Sequence, residues 1–351
     1  MIQRRKTKTV SIGKVKIGSK FPVSIQSMAK TKTAQVHATV RQIRALEKCG
    51  CEIVRVAVQD TASARALDKI KKKINIPLVA DIHFNYRLAL EALARGVDCI
   101  RLNPGNIYRS EEVRQVAGAA KKRRVPIRVG VNSGSLRNTR VTDPMVKAAL
   151  NYIKMLEGFG FDDIIVSLKA SDVLTTVSAY RKIARRCNYP LHLGVTASGL
   201  PRQGTVNSVL GIGSLLLDGL GDTIRVSLTG NPEEEVAVAR QILKTLELRR
   251  FGPQVISCPT CGRTKVDLVK IAQQFERQLS ALRYPLNAKR GLKIAIMGCE
   301  VNGPGEAQEA DLGVACGNNR AALFRKGKIV RIIKQDRIVK TLISEVKNAL
   351  E

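Results

Sequence analysis

Short apolar runs recur along the first two-thirds of the chain, and amphipathic stretches separate them. The runs are VSIQSM, IVRVAV, PLVADI, DCIRLN, PIRVGV, DIIVSL, LHLGVT and DTIRVSL. Between the first two, residues 35–49 place Val36, Val40, Ile43 and Leu46 on one face of a predicted helix. The runs themselves are apolar almost throughout, as is typical of parallel strands covered by helices. The pattern therefore predicts alternating strands and helices.

Glycine often stands just before one of these runs, as in KCGCEIV, ARGVDCI, GFGFDDI and DGLGDTI. A left-handed glycine commonly ends a helix at such a position. Eight strands with their helices over about 245 residues match the count and length of a TIM barrel. A doubly wound sheet is the alternative, but it more usually has about five or six strands, and no G-x-G-x-x-G follows the first strand here. We expect an α/β fold with a TIM (β/α)8 barrel over residues 1–250.

The repeat ends near Gly252-Pro253, which indicates a linker. The elements predicted after it are a strand QVISC, a helix from about Val266 to Leu282, a strand LKIAIMGC, two short runs DLGVAC and AALFRKGKIVRII, and a helix from about Asp336 to Leu350. These elements predict a small α+β domain over residues 254–351.

Composition adds a strong positive charge, because 60 Lys and Arg against 29 Asp and Glu leave +31. Such an excess favours an anionic partner: nucleic acid, a phosphorylated substrate or an acidic protein. The basic residues are spread along the chain, and several clusters fall at the ends of predicted helices, where cations suit the helix dipole. Seven Phe, six Tyr and no Trp offer few surfaces for base stacking. Nucleic-acid binding is therefore disfavoured.

The chain shows no feature of a membrane or secreted protein. No apolar run approaches about 18 residues, and the start MIQRRKTKTVSIGKV lacks the apolar segment of a secretory signal. Eight scattered cysteines do not form the pattern of a disulfide scaffold. We expect a cytoplasmic protein, in which cysteines at turns are more often metal ligands than disulfides.

Polar side chains recur at the carboxyl ends of the predicted barrel strands, where TIM-barrel enzymes carry their active sites. They are Gln26, Arg55, Asp81 with His83, Arg101 with Asn103, Arg128 with Asn132, Ser167 with Lys169, and Arg225 with Ser227. Any one of the arginines could be a solvated strand tip or the partner of an Asp. Crowding all five cations is costly unless anions compensate, and Asp81 is the one clear acidic residue at these ends. Because arginine binds phosphate oxygens in bidentate fashion, the set predicts a polyanionic ligand such as a diphosphate.

Three histidines are candidates for chemistry. His83 follows the third strand and is either a structural hydrogen-bonding residue or a substrate contact and proton donor. His37, at a helix start, and His192, inside a strand, have weaker claims.

Three cysteines of the second domain follow predicted strands. Cys258 and Cys261 form a C-x-x-C, Cys299 comes 38 residues later, and Glu306 seven residues after that. A zinc site usually takes four Cys or His ligands, and Cys316, inside a strand pattern, is only a weak fourth candidate. An iron–sulfur cluster on three thiolates, with an oxygen ligand on the remaining iron, fits the set. On this pattern, zinc and purely structural thiols stay open.

The ordered motifs PLVADIHF, RLNPGNI, VSLKASD, GDTIRVSL, CPTCGRT and GCEVNGPGE resemble those of the GcpE family, the bacterial hydroxymethylbutenyl diphosphate synthases. The resemblance covers nearly the whole chain. It implies a TIM barrel joined to an iron–sulfur domain with one [4Fe–4S] cluster per chain. It also implies reductive ring opening and dehydration of 2-C-methyl-D-erythritol 2,4-cyclodiphosphate to 4-hydroxy-3-methylbut-2-enyl diphosphate, in non-mevalonate isoprenoid biosynthesis.

The resemblance also implies roles for individual residues. Cys258, Cys261, Cys299 and Glu306 would hold the cluster, with a sharp Gly-Pro-Gly turn carrying Glu306 to the fourth iron, and Asn302 would lie beside it. Glu306, Asn302 and His83 are the implied catalytic residues. The implied substrate contacts are Arg55, His83, Arg101, Asn103, Arg128, Asn132, Lys169, Arg225 and Ser227.

Family members are similar in forming head-to-tail homodimers, with the cluster of one chain over the barrel of the other. Their electrons come from flavodoxin or ferredoxin, which are both acidic, so part of the +31 charge would steer the donor. We expect these partners, a small cyclic diphosphate as substrate, and no membrane.

One position departs from the family pattern: Ala197, in VTASG, stands where the family usually has a glutamate. Because the other site residues remain, we still expect an enzyme, and we expect Ala197→Glu to raise or preserve turnover. Two alternatives stay open, a zinc-stabilised barrel enzyme on another phosphorylated substrate and a basic RNA-binding protein. Metal content separates the first from an iron–sulfur enzyme, and salt-dependent RNA retention would mark the second.

Overall fold

The computed structural model describes residues 2–135, 142–196, 198–282, 291–301 and 303–349. The chain forms two compact units, Met1–Arg249 and Arg250–Glu351. Within the described residues, no helix combines the length and the apolar character needed to cross a membrane.

The first unit begins with a hairpin of β1 (Val10–Ile12) and β2 (Val15–Ile17). Its apolar side chains pack on residues near the amino ends of barrel strands, among them Ile53, Val79 and Ile165. The hairpin therefore covers the amino-terminal end of the barrel, so the carboxyl ends of the strands remain as the end available for a site.

Eight parallel strands form the barrel. They are β3 (Ser24–Met28), β4 (Ile53–Val58), β5 (Leu78–Ile82), β6 (Cys99–Leu102), β7 (Ile127–Asn132), β8 (Ile164–Lys169), β9 (His192–Leu193) and β10 (Thr223–Ile224). Their order is β8-β7-β6-β5-β4-β3-β10-β9, and a parallel bridge from Val166 to Leu191 joins the two end strands. The predicted TIM barrel is confirmed, although the last two strands are shorter than their apolar runs.

The helices between the strands are α1 (Val36–Lys48), α2 (Thr61–Lys71), α3 (Tyr86–Ala94), α4 (Ser110–Arg123), α5 (Thr142–Gly158), α6 (Val173–Ala184), α7 (Pro201–Leu217) and α8 (Pro232–Thr245). Side chains cap several of them; Asp60 accepts from Ser63 N and Asp172 from Thr175 N. Gly50 and Gly96 have φ values of 98° and 78° after α1 and α3. The predicted left-handed glycine ends are therefore confirmed at these helices.

The second unit is a five-stranded sheet with helices. Its elements are β11 (Gln254–Ser257), α9 (Leu268–Ala281), β12 (Lys293–Met297), α10 (Gly303–Gln308), β13 (Leu312–Cys316), β14 (Arg320–Arg325), β15 (Lys328–Lys334) and α11 (Ile338–Asn348). The strands follow chain order; β11, β12 and β13 run parallel, and β14 and β15 antiparallel. The apolar faces of α9 and α11 contribute Phe275 and Leu342 to one core with this sheet.

The run AALFRKGKIVRII forms a hairpin, β14 and β15, that turns at Gly327, where φ is 79°. One local prediction in this unit was wrong. Gly303, Pro304 and Gly305 do not make a sharp turn; they begin helix α10. Proline suits that place because the first turn of a helix leaves its N–H groups unbonded.

Candidate functional site: strand-end cations and a thiol set

Five cationic side chains, called the strand-end cations, come from five barrel strands. Lys169 ends β8 and Arg225 directly follows β10, and Arg101 is the third of four residues in β6. The expectation of a strand-end position was wrong for Arg55, the third of six residues in β4, and for Arg128, the second of six in β7. Arg101, Arg128 and Lys169 are buried, and Arg55 and Arg225 are partly buried. The barrel topology brings them together, because all five belong to one closed sheet of parallel strands.

Asp81 on β5 neutralises part of this charge. Its Oδ1 lies 3.1 Å from Arg101 Nη1 and its Oδ2 lies 3.6 Å from Arg55 Nε. Burial alone would raise the pKa of Asp81, but the Arg55 and Arg101 guanidinium groups outweigh it and lower that pKa below its ordinary value. Asp81 is therefore a carboxylate that fixes two of the cations.

Arg128 is fully buried and only partly satisfied. Its Nη2 donates to Gln26 Oε1 at 2.7 Å, whereas Nε and Nη1 have no hydrogen-bond partner among the described residues. Burial, with the nearby Arg55, lowers the pKa of Arg128 to about 10, so it remains a cation at neutral pH. Buried donors without acceptors are costly, and an anion entering the barrel would relieve that cost.

A second acidic residue lies beside these cations, carried by a helix and not by a strand end. Glu235 on α8 is 1 % exposed; its Oε2 lies 3.8 Å from Arg225 Nη2, and its Oε1 lies 3.0 Å from Lys30 Nζ. It also accepts hydrogen bonds from Leu228 N and Ser27 Oγ. The sequence does carry a signal, because residue 235 falls on the buried face of α8 together with Val236 and Ala239. Glu235 thus holds Arg225 at the site.

Two glycines make room for the strand-end cations. A Cβ at Gly130 on β7 would collide with Nε of Arg101. Nη2 of the same guanidinium donates to Gly130 O at 2.8 Å. A Cβ at Gly194 would lie 2.8 Å from Lys169 Nζ. Inward positions of these strands therefore need glycine for the long cationic side chains to fit.

The remaining predicted substrate residues lie around the same end. His83 Nε2 lies 3.9 Å from Asp81 Oδ2, and its Nδ1 is buried with no partner among the described residues. Asn103 is buried, and its Oδ1 accepts from Gly105 N. Asn132 ends β7, and Ser227 follows Arg225 by two residues; both are half-buried. Ala197 lies outside the described residues.

Even with the two carboxylates Asp81 and Glu235, the strand-end cations leave an excess of positive charge. In addition, the described residues supply no acceptor to Arg128 Nη1 or Arg225 Nε. Guanidinium groups converging from several strands present forks of N–H donors, the arrangement that binds phosphate oxygens. The geometry can hold a compact polyanion.

In the second unit, sheet topology gathers the cysteines. β11 and β12 are parallel neighbours with Ser257 opposite Ile296, so Cys258 and Cys299, which follow those strands, leave the sheet at one edge. Gly298 N donates to Cys258 Sγ at 3.2 Å. A Cβ at Gly298 would lie 2.9 Å from Thr264 Cγ2, so glycine there lets the two loops approach closely.

Cys261 lies on the loop after β11 and is exposed. Its N–H donates to Thr264 Oγ1 at 3.1 Å, and Thr264 N donates back to Cys261 O at 3.0 Å. A hydrogen bond from the Arg263 backbone, with the charge of that guanidinium, lowers the pKa of the Cys261 thiol. The loop therefore favours a thiolate, the form that binds metal.

Cys316, the last residue of β13, comes close to the same thiols. Burial, together with Cys258 and Cys299, raises its pKa to about 12, so it is a protonated thiol. Its position inside a strand is as predicted, and Cys316 stays the weak fourth candidate.

Glu306 lies on α10 and is exposed, whereas Asn302 lies outside the described residues. Helix α10 packs on β12 and β13, because Gly303 is close to Met297 and Ala315. All eight cysteines are described and none is in a disulfide. In the described ranges, no three His, Cys, Asp or Glu side chains form a group that could hold a metal ion. Cys258 and Cys299 follow neighbouring parallel strands, and a backbone N–H bonds to the Cys258 sulfur. Iron–sulfur sites use thiolates with such donors, so Cys258, Cys261, Cys299 and Glu306 stay candidate ligands.

Two family models match the chain, the GcpE TIM-barrel domain over residues 7–240 and the GcpE protein C-terminal domain over residues 254–348. Curated relatives named 4-hydroxy-3-methylbut-2-en-1-yl diphosphate synthase (flavodoxin) are similar along nearly their whole length. The protein of Ruminiclostridium cellulolyticum is 51% identical over 98% of each chain. That of Caldicellulosiruptor saccharolyticus is 52% identical over 97% of this chain and 98% of its own.

Among solved structures, dihydropteroate synthase from Yersinia pestis aligns with a TM-score of 0.51 at 12% identity, over 68% of this chain and 98% of its own. The 3-dehydroquinate dehydratase of Geobacillus kaustophilus aligns with a TM-score of 0.51 at 16% identity, over 70% and 98%. At these identities the likeness concerns the fold alone. The family models and the full-length relatives decide the family: the chain belongs to the GcpE family.

Proposed function

We propose that this chain catalyses the reaction for which its relatives are named, formation of 4-hydroxy-3-methylbut-2-en-1-yl diphosphate. The substrate would be 2-C-methyl-D-erythritol 2,4-cyclodiphosphate. Its ring opens with the uptake of two electrons and two protons and the loss of one water. The observation that carries this proposal is the buried set of strand-end cations with unpartnered N–H donors on Arg128 and Arg225, in a chain of this family.

The barrel residues would bind and orient the diphosphate. Arg128 and Arg225 have donors to spare for phosphate oxygens, while Asp81 fixes Arg55 and Arg101 in place. Their charge would stabilise the diphosphate as it leaves the ring carbon. Asn103, Asn132, Lys169 and Ser227 would complete the contacts at the same end of the barrel.

His83 is our candidate proton donor. Its Nε2 faces Asp81 and its Nδ1 is buried without a partner among the described residues. The Asp81 carboxylate would orient the ring through Nε2, and Nδ1 would deliver a proton to the hydroxyl group that leaves as water. With Glu306 and Asn302, this residue completes our proposed catalytic set.

We propose Cys258, Cys261, Cys299 and Glu306 as the ligands of one [4Fe–4S] cluster per chain. Such a cluster supplies electrons singly and a Lewis-acidic iron. The backbone N–H bonded to Cys258 Sγ and the donors around Cys261 would stabilise the thiolates and tune its potential. The electron donor would be flavodoxin, which the relatives' name includes, or ferredoxin.

Anaerobic turnover tests the proposal. The purified chain, given the cyclodiphosphate, dithionite and a viologen dye, is expected to release the linear diphosphate and to oxidise two equivalents of dye for each product. Iron should be present at about four atoms per chain, as a [4Fe–4S] cluster requires. A colourless protein with stoichiometric zinc and no turnover would overturn the proposal.

The head-to-tail homodimer stays a prediction, and mixing two inactive variants tests it. Arg128→Met should inactivate the barrel and Cys258→Ser the thiol set, each chain keeping the other site. If one chain's cluster serves its partner's barrel, mixed dimers regain one working site and measurable turnover. No recovery in mixtures shown to exchange subunits would contradict the arrangement.

A further inference from the structure

A buried row of three side chains leads down from the site into the barrel. Lys169 Nζ lies 3.4 Å from His192 Nε2, and His192 Nδ1 lies 3.4 Å from Thr223 Oγ1. His192 and Thr223 are completely buried, and Lys169 nearly so. His192 had only a weak claim from sequence, yet it is the histidine that touches a strand-end cation directly.

The surroundings fix this row in place. The Tyr180 hydroxyl donates to the carbonyl oxygen of His192, which secures β9 against α6. Gly194, two residues on, leaves the space that Lys169 Nζ occupies. The contact between Lys169 and His192 therefore lies in the packed interior of the barrel, and the neighbouring residues hold both side chains in place.

The charges around Lys169 are mostly of one sign. Arg55, Arg101, Arg128 and Arg225 face it from β4, β6, β7 and the end of β10, and His192 faces it from β9. No carboxylate oxygen of a described residue lies within 4.0 Å of its Nζ, unlike Arg55, Arg101 and Arg225. Burial and these arginines lower the pKa of Lys169 well below its ordinary value.

Protonation of His192 is unfavourable as well. Burial, with the charge of Arg128, lowers its pKa well below the ordinary value, so the imidazole is neutral. A neutral imidazole carries one N–H, on either Nε2 or Nδ1. The tautomer of His192 therefore depends on its two neighbours: the nitrogen that carries the proton donates a hydrogen bond, and the other nitrogen accepts one, from Lys169 or from Thr223.

We infer that His192 is a positioning residue that holds Lys169 as a neutral amine in the free barrel, and that binding of a diphosphate brings one proton onto Lys169. The inference rests on the diphosphate site of the proposed function. It explains how the barrel tolerates its crowded cations: the fifth charge forms only when an anion is there to balance it.

The proton balance is simple. In the free barrel, His192 Nε2–H donates to the amine of Lys169, and the Thr223 hydroxyl donates to Nδ1. When the anion binds, the Nε2–H bond breaks and that proton completes the Lys169 ammonium, which then donates back to Nε2. The Thr223 hydroxyl passes its proton to Nδ1 and takes another from the buffered solution, so the protein gains one proton in all and the buffer loses one.

Calorimetry with inorganic pyrophosphate measures the proton directly. The ligand is titrated at one near-neutral pH into the whole protein in buffers of different ionisation enthalpy, and the number of protons taken up is compared with that of Lys169→Met. The ligand's own change of ionisation is common to both. The unmodified protein should take up more, by a difference approaching one proton per bound anion. The exposed Lys122→Met should match the unmodified protein, and equal counts for Lys169→Met and the unmodified protein would overturn the inference.

Imidazole 15N spectra give a second reading that needs no variant at Lys169. The chain has three histidines, so His37→Gln and His83→Gln suffice to assign the ring of His192. Its proton should lie on Nε2 in the free protein and on Nδ1 with pyrophosphate bound. A tautomer that does not change would overturn the inference even if Lys169→Met fails to fold.

The outcomes separate the two proposals. Pyrophosphate that binds without extra proton uptake and without a tautomer change contradicts only the role of His192 and Lys169. Pyrophosphate that does not bind at all contradicts the diphosphate site itself, and the proton linkage with it.

Discussion

The barrel end and the thiol set hold their functional groups in different ways. In the barrel, Arg101, Arg128 and Lys169 are at most 5 % exposed, and they extend from strands of one closed sheet. In the second unit, Cys261 and Glu306 are exposed and lie on a loop and on a helix of six residues. The barrel therefore fixes its cations as it folds, whereas local turns and the bound group would set the geometry of the thiols.

The largest effect expected is from removing a proposed cluster ligand. Cys299→Ser should abolish both iron retention and turnover, since a cluster with two remaining thiolates is poorly held. Iron analysis and anaerobic turnover check this. Cys49→Ser, at the end of α1 in the barrel unit, is the matched control and should retain both; a Cys299→Ser protein with full iron would remove this cysteine from the ligand set.

Arg128→Met should separate ligand binding from stability. Loss of a buried guanidinium that binds phosphate should weaken pyrophosphate binding roughly 10- to 100-fold. The same change removes a buried charge with two unpartnered nitrogens, so the free protein should gain stability, by about 1–4 kcal/mol. Calorimetric binding and the melting temperature give the two numbers. Exposed Arg123→Met should alter neither, and a destabilised Arg128→Met that binds normally would show that the residue is structural.

A smaller effect is expected from Glu235→Gln. The amide keeps the shape and the bond from Leu228 N, but Arg225 and Lys30 lose their shared carboxylate. Pyrophosphate affinity should fall about three- to tenfold and the melting temperature should drop. The adjacent exposed Glu234→Gln serves as the control. Equal behaviour of the two variants would mean that Glu235 does not position Arg225.

The smallest effect concerns thiol reactivity in protein from which iron has been removed under anaerobic conditions. Cys261 is exposed with a lowered pKa, whereas burial raises the pKa of Cys51 to about 12 and that of Cys99 to about 11. Iodoacetamide should therefore modify Cys261 first, with its rate rising at lower pH than for an ordinary thiol. Peptide mass spectrometry at short times checks the order, and first labelling at a barrel cysteine would contradict it.

Much of the barrel could be predicted because its signals are local and periodic. Apolar runs and glycine helix ends follow one repeat, and the closed sheet then brings Arg55, Arg101 and Arg128 together. The expected strand-end positions of Arg55 and Arg128 were wrong, because the strands extend beyond them. Glu235 and His192 were harder to foresee. Their roles depend on which helix or strand packs beside which cation, and only tertiary structure supplies that.

In the second unit, the local sequence pattern predicted less of the structure. The C-x-x-C spacing predicts Cys258 and Cys261 as ligands, and that stays a prediction. The turn predicted at Gly303-Pro304-Gly305 was wrong, because these residues begin a helix. A tight turn and the start of a helix favour the same residues, because proline fits the first turn of a helix as well as it fits a tight turn. The close packing of Gly303 against Met297 and Ala315 favours the helix over the turn. A local sequence pattern does not reveal such tertiary contacts.

The central claim is that the barrel carries the diphosphate site and the thiol set carries the redox group, as separable parts of one enzyme. The most direct test is anaerobic calorimetry of the cyclodiphosphate with the Cys299→Ser protein, from which iron is lost. The account predicts binding within about tenfold of the unmodified protein, a difference of about 1.4 kcal/mol, without turnover. A folded Cys299→Ser protein that binds no cyclodiphosphate would contradict it.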